Sequence, residues 1–181
     1  MSTFKPLWSR LFLLVVVVSL LAACSWVKRE TYLVPEKRNA QEQFAYAANF
    51  ELRTKALATP KQSQVYPPIT QAYEAVIARF PQDPLYTPQA ILKVGDLYME
   101  QKKYRTALGY YDQARKKYAD QDKVQAYSQL HRAQCYELLG DAARARDVYK
   151  QIVDLYSNHA DPYVQKIVKQ AQELYDRVLK E

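Results

Sequence analysis

A chain of 181 residues, 49% of them apolar, is long enough to build one domain around a core of its own. Three glycines leave no room for a phosphate-binding loop of the usual form, and two cysteines supply no disulfide framework. The net charge of +7 is scattered among acids, as in Lys102-Lys103-Tyr104-Arg105, with no basic arm, which argues against a nucleic-acid partner.

The chain opens with Lys5 and Arg10 and no acid in its first ten residues, followed by the apolar run LFLLVVVVSLLAA over residues 11–23. This predicts a secretory signal, because thirteen residues fall short of the roughly 20 that cross a bilayer as a helix. An uncleaved anchor reaching residue 27 is the alternative. The run ends Leu21-Ala22-Ala23-Cys24, which resembles the bacterial lipobox. That resemblance implies a lipoprotein signal peptide over residues 1–23, cleavage before Cys24, and acylation of Cys24 with fatty acids of the palmitate kind. Each buried CH₂ contributes about 0.8 kcal/mol, so several acyl chains form a stable membrane anchor. Ser25, where an Asp commonly retains lipoproteins in the inner membrane, implies the outer membrane, with the protein facing the periplasm.

Residues 24–37 mix charges, aromatics and a proline without periodicity and read as the lipidated N-terminus and tether; residues 38–181 read as the helical domain. A first helix is predicted over 38–57 with Phe44, Ala47, Ala48 and Leu52 inward. Pro60, Pro67 and Pro68 then interrupt it, giving a loop of roughly ten residues. A second helix spans 69–80 and ends at Pro81, and Thr87-Pro88 is expected to supply the cap and first-turn proline of the third. Residues 94–114, VGDLYMEQKKYRTALGYYDQA, read as a helical hairpin in which small Gly95 and Ala107 face large Tyr98 and Tyr111. Further helices are predicted over 122–138 and 141–156, with Gly140 as the stop and Asp141 as the cap between them. Asp161-Pro162 begins a last helix with Ile167, Ala171, Leu174 and Val178 on one stripe.

Tyr73, Tyr111 and Tyr149 are 38 residues apart, and Val76, Ala114, Ile152 and Phe80, Tyr118, Tyr156 keep the same step. In-phase small and aromatic residues over three units mark a helical solenoid, whose terminal helix must cap it. Val94, Gly95, Tyr98, Ala107, Tyr111 and Ala114, and then Ala133, Tyr136, Gly140, Ala145 and Tyr149, resemble the tetratricopeptide repeat. The 38-residue step departs from that family's usual length of about 34. The fold class expected is all-α: a tetratricopeptide-like solenoid of about three helix pairs and a capping helix.

Catalytic chemistry has no visible carrier. His131 and His159 are isolated from other metal-ligand types, no nucleophile elbow occurs, and Cys135 reads as a buried apolar thiol. No enzyme, cofactor, metal or small-molecule substrate is expected. On the family's pattern the inner groove corresponds to Gln89, Leu92, Lys93, Asp96, Met99 and Glu100, then Tyr127, Leu130, His131, Gln134 and Leu138. Such a mixture suits an extended segment or helix of a protein partner. The loop around residues 58–68 is a second place for contact. Lipobox, tether and repeats together resemble the repeat lipoprotein family of the outer-membrane β-barrel assembly machinery. That resemblance implies a lipid-anchored scaffold for envelope or outer-membrane proteins. A pilotin-like or secretion-system lipoprotein, or a structural subunit without a groove ligand, is the alternative.

Overall fold

Helix follows helix through the computed structural model, which describes residues 32–57 and 64–180. Seven helices lie among these residues: α1 (Ala40–Ala56), α2 (Tyr66–Arg79), α3 (Tyr86–Glu100), α4 (Tyr104–Lys117), α5 (Asp122–Leu138), α6 (Ala142–Tyr156) and α7 (Pro162–Val178). No strand occurs among the described residues. The expected signal sequence, Cys24 and most of the expected tether lie outside them, as do residues 58–63 of the expected loop. None of the described helices is long and apolar enough to cross a membrane.

Local signals account for the helix ends. Asn39 caps α1, its side chain accepting from the Glu42 amide at 2.8 Å. Gly140, at φ +82°, closes α5 in the conformation that L side chains rarely adopt, and Asp141 caps α6 by accepting from the Arg144 amide. Asp161 caps α7 through the amides of Tyr163 and Val164, with Pro162 in the first turn. The turn into α4 has Lys102 at φ 59°, an uncommon state for a non-glycine residue.

Three expectations require correction. Pro67 and Pro68 do not lengthen the loop but sit in the first turn of α2, where a missing N–H costs no helical bond. Thr87 is not the cap of α3. The cap position is Leu85, which has no capping side chain; Asp83, two residues earlier, accepts from the amides of Leu85 and Tyr86, while Thr87 is buried and donates to the Phe80 carbonyl at 2.5 Å. Leu52 does not face inward: it is 69% exposed, and the buried face of α1 is Ala40, Gln43 and Ala47. Residues 34–37 are held against that face, with Gln43 accepting from the Lys37 amide and Arg79 donating to the carbonyls of Val34 and Pro35.

Consecutive helices pack side by side, and the odd-numbered helices also approach one another, α1 to α3, α3 to α5 and α5 to α7. The backbones of the even-numbered helices do not, and they meet through long side chains such as Tyr110, whose hydroxyl donates to Glu74 at 3.0 Å. The odd helices therefore form the inner, concave layer and the even helices the outer one. Tyr73, Tyr111 and Tyr149 are fully buried, each between the two helices of its pair. At Gly95 an added Cβ would lie 2.7 Å from Cε1 of Tyr111, so the backbone of α3 reaches the ring only because no side chain intervenes. Across each junction a side chain of the incoming helix satisfies the final carbonyl of the outgoing one. Thr87 donates to Phe80, Gln125 to Tyr118 at 2.9 Å, and Gln165 to Tyr156 at 3.1 Å. Helix α7 closes the stack with Val164, Ile167, Val168, Ala171 and Val178 buried against α5 and α6.

Candidate functional site: the inner helical face

The inner face of α3 and α5 divides into residues that bind the solenoid together and residues left open. Asp96, in the middle of α3, accepts from the Tyr111 hydroxyl at 2.8 Å and the Tyr127 hydroxyl at 2.9 Å. Burial lifts its carboxyl above the usual carboxylate range, against the pull of those two hydrogen bonds. Burial and the neighbouring Asp96 charge push both phenols well above their ordinary value, so they remain donors at any physiological pH. His131 stacks on Tyr111 with centroids 5.5 Å apart and lies tilted against Tyr127 at 4.1 Å. Its burial among these rings pushes its pKa down to about 4, so it is neutral at pH 7.

The same arrangement recurs in the flanking pairs. Tyr73 of α2 donates to Glu51 of α1 at 2.7 Å, and Tyr149 of α6 donates to Glu137 of α5 at 3.0 Å. Each carboxylate leads on to the next odd helix: Glu51 to Lys55, which pairs with Glu100 of α3; Asp96 to Tyr127 of α5; Glu137 to Arg177 of α7. Burial works against Glu51, but its bonds from Lys55 and Tyr73 prevail and hold its carboxyl below the usual range. A polar ladder thus runs along the inner layer and fastens every helix pair to its successor. Sequence comparison missed it because the acids do not keep the repeat: Asp96 is in phase with Gln134, and Glu137, one helical turn later, takes its place in the next unit.

Of the predicted groove residues, Gln89, Lys93 and Glu100 are exposed, and Asp96, Met99, Tyr127, His131 and Gln134 are half-buried. Asp96, Tyr127 and His131 come together in one cluster, and Glu100 is engaged with Lys55 at 2.8 Å. Gln89 turns back to donate to the Leu85 carbonyl. Lys93 makes no ion pair within 4 Å among the described residues, though it lies close enough to weight the charges of Glu51 and Asp96. Leu130, 2% exposed, belongs to the core rather than the groove, whereas Leu138 is 52% exposed. Cys135 is fully buried, and burial pushes its thiol up to about 12, which makes it a packing residue. No group of three potential ligands for a metal occurs among the described residues.

Residues 92–160 match the tetratricopeptide repeat family. The match covers most of α3, all of α4 and the whole of the following pair, where the 38-residue phase is cleanest. The fold is also similar to the crystal structure of PcrH from Pseudomonas aeruginosa, with a TM-score of 0.58 over 77% of this chain and 91% of that one. At 17% identity that likeness shows the fold alone. Among curated proteins, none matches the sequence. The molecule is a tetratricopeptide-like solenoid, an architecture that serves as a scaffold for protein partners.

Proposed function

We propose that this chain is a non-catalytic scaffold, lipid-anchored through Cys24 to the outer membrane and facing the periplasm, that binds a segment of an envelope protein along the inner face of α3 and α5. Its place would be in outer-membrane assembly of the β-barrel assembly machinery kind. The observation that carries this reading is the division of labour on that face. Asp96, Tyr127 and His131 stiffen the floor from behind, while Lys93 is exposed and the half-buried Met99 and Gln134 keep part of their surface open. A preformed floor lowers the ordering cost of binding a flexible segment, and the mixture of one open cation, an amide and a thioether suits a peptide with both polar and apolar side chains.

Affinity capture from membranes solubilised in mild detergent tests this. The wild-type chain is expected to recover an envelope or outer-membrane protein, and Lys93→Ala with Gln134→Ala is expected to lose it without a change in thermal midpoint. Equal recovery by the variant, or no envelope protein at all, would contradict the groove. Recovery of secretion-apparatus components alone would move the protein to that machine. For the anchor, Cys24→Ser is expected to abolish labelling by radiolabelled palmitate and release the chain from membranes, and persistent labelling would refute it.

A further inference from the structure

A second surface lies at the edge of the solenoid, on the turns that join helices within pairs, away from the inner face. A cavity of about 580 Å³ opens between the first turns of α4 and the α5–α6 turn. Its floor is apolar: Leu108 and Tyr136 are half-buried and Leu139 is 40% exposed, more than packing of the domain itself requires. Its rim carries Arg105 from α4 and Arg144 from α6 beside a single acid, Asp141, which pairs with Arg144 and leaves a net positive charge. The Arg144 guanidinium lies over the Tyr136 ring at 4.9 Å and that of Arg132 lies 5.7 Å from it, so the ring is bracketed by positive charge.

The acids nearby are already engaged. Asp141 caps α6 and pairs with Arg144, and Asp112 pairs with Arg132 at 2.7 Å. Arg105 and Lys102 make no ion pair among the described residues. Lys103 reaches only the Gln101 side chain and the Tyr98 ring. The edge therefore presents apolar contact area beneath Arg105, which no acid neutralises among the described residues, while Arg144 and Arg132 are already paired. A guanidinium gains most from a carboxylate that it can meet with two parallel bonds. A flat headgroup layer would reach the rim but leave the concave floor unfilled.

We propose that this edge is a docking site for a segment of a partner protein that alternates carboxylates with large apolar side chains. The apolar groups seat on Leu108, Tyr136 and Leu139, and the unpaired Arg105 holds an acid of the segment. The site is independent of the inner groove, and either can fail without the other.

The test uses the full-length protein in mild detergent and the fluorescein-labelled peptide Glu-Leu-Glu-Phe-Glu-Leu-Glu-Phe, followed by fluorescence polarisation. Arg105→Glu with Leu139→Asp, both at exposed positions, is expected to weaken binding by about tenfold or more. Lys116→Glu, the same charge change at the far end of α4, is expected to leave it within about twofold. The peptide with Lys in place of Glu is expected not to bind. Thermal midpoints of all variants separate lost binding from lost fold, and Arg105→Ala alone supplies the milder change if the double variant unfolds. Undiminished binding by the Arg105 variants, equal binding of the reversed peptide, or binding to phosphatidylglycerol-containing nanodiscs but not to the peptide would overturn the proposal.

Discussion

At Gly95 a single methyl group decides the packing of a whole hairpin. The Tyr111 ring that it would strike is fully buried and its hydroxyl is tied to Asp96, so neither partner has room to yield. Gly95→Leu is expected to cost about 1 to 3 kcal/mol in chemical denaturation. Gly109 is the contrast: it lies on the exposed side of α4 with nothing within 4 Å of an added Cβ. Gly109→Ala is therefore expected to stabilise by about 0.5 to 1 kcal/mol, since only backbone entropy changes there. Unchanged midpoints for both would mean that the two sites do not differ as described. His131 makes a prediction about pH. Its pKa is lowered from 6.5 to about 4, so the unfolded chain takes up a proton across that window while the folded chain does not. The stability it contributes is present above pH 6.5 and is lost as pH falls toward 4, by up to about 3 kcal/mol. The difference in unfolding free energy between wild type and His131→Phe, measured at pH 7 and pH 4.5, should shrink or reverse on acidification; a constant difference would show that the ring is solvated.

Between helices, the carboxylate of one odd helix joins the tyrosine of its partner to the next odd helix. Asp96→Ala would leave the Tyr111 hydroxyl, in a fully buried side chain, without its acceptor. The expected cost is about 1 to 3 kcal/mol, and Asp96→Asn, which keeps an acceptor, should recover part of it in the same melts. Equal melting of wild type and Asp96→Ala would remove this residue from the ladder. What the sequence made legible is the local part of this arrangement: the Tyr73, Tyr111 and Tyr149 positions, the Gly140-Asp141 junction and the Asp161-Pro162 start each carry their cause within a few residues. Pro67 and Pro68 misled because a proline reads equally as helix stop and helix start, and packing of Tyr66 and Ile69 into the core selects the start. Leu52 misled because no helix pair precedes α1 among the described residues to cover that side. The sequence places Asp96 in the groove but does not reveal that it is engaged there, because Tyr127, one of its two donors, lies 31 residues away.

Across the described residues, three helix pairs and a closing helix repeat one junction: an aromatic ring between the helices of a pair, a carboxylate behind it, and a side chain sealing the last carbonyl of the outgoing helix. Stability in such a stack is a chain of neighbour terms, and the ladder places its polar terms on the concave side, where they also form the floor of the groove. On the inner face, the surface left open for the proposed partner is consequently narrow and lies on α3 and α5. Site-specific photo-crosslinking in membranes of the native host, with a benzophenone side chain at Lys93 on the inner face or at Lys116 on the outer layer, tests this most directly. An envelope-protein adduct at position 93 and none at 116 is the predicted result; adducts at 116 alone, equal adducts at both, or none at 93 would contradict the account.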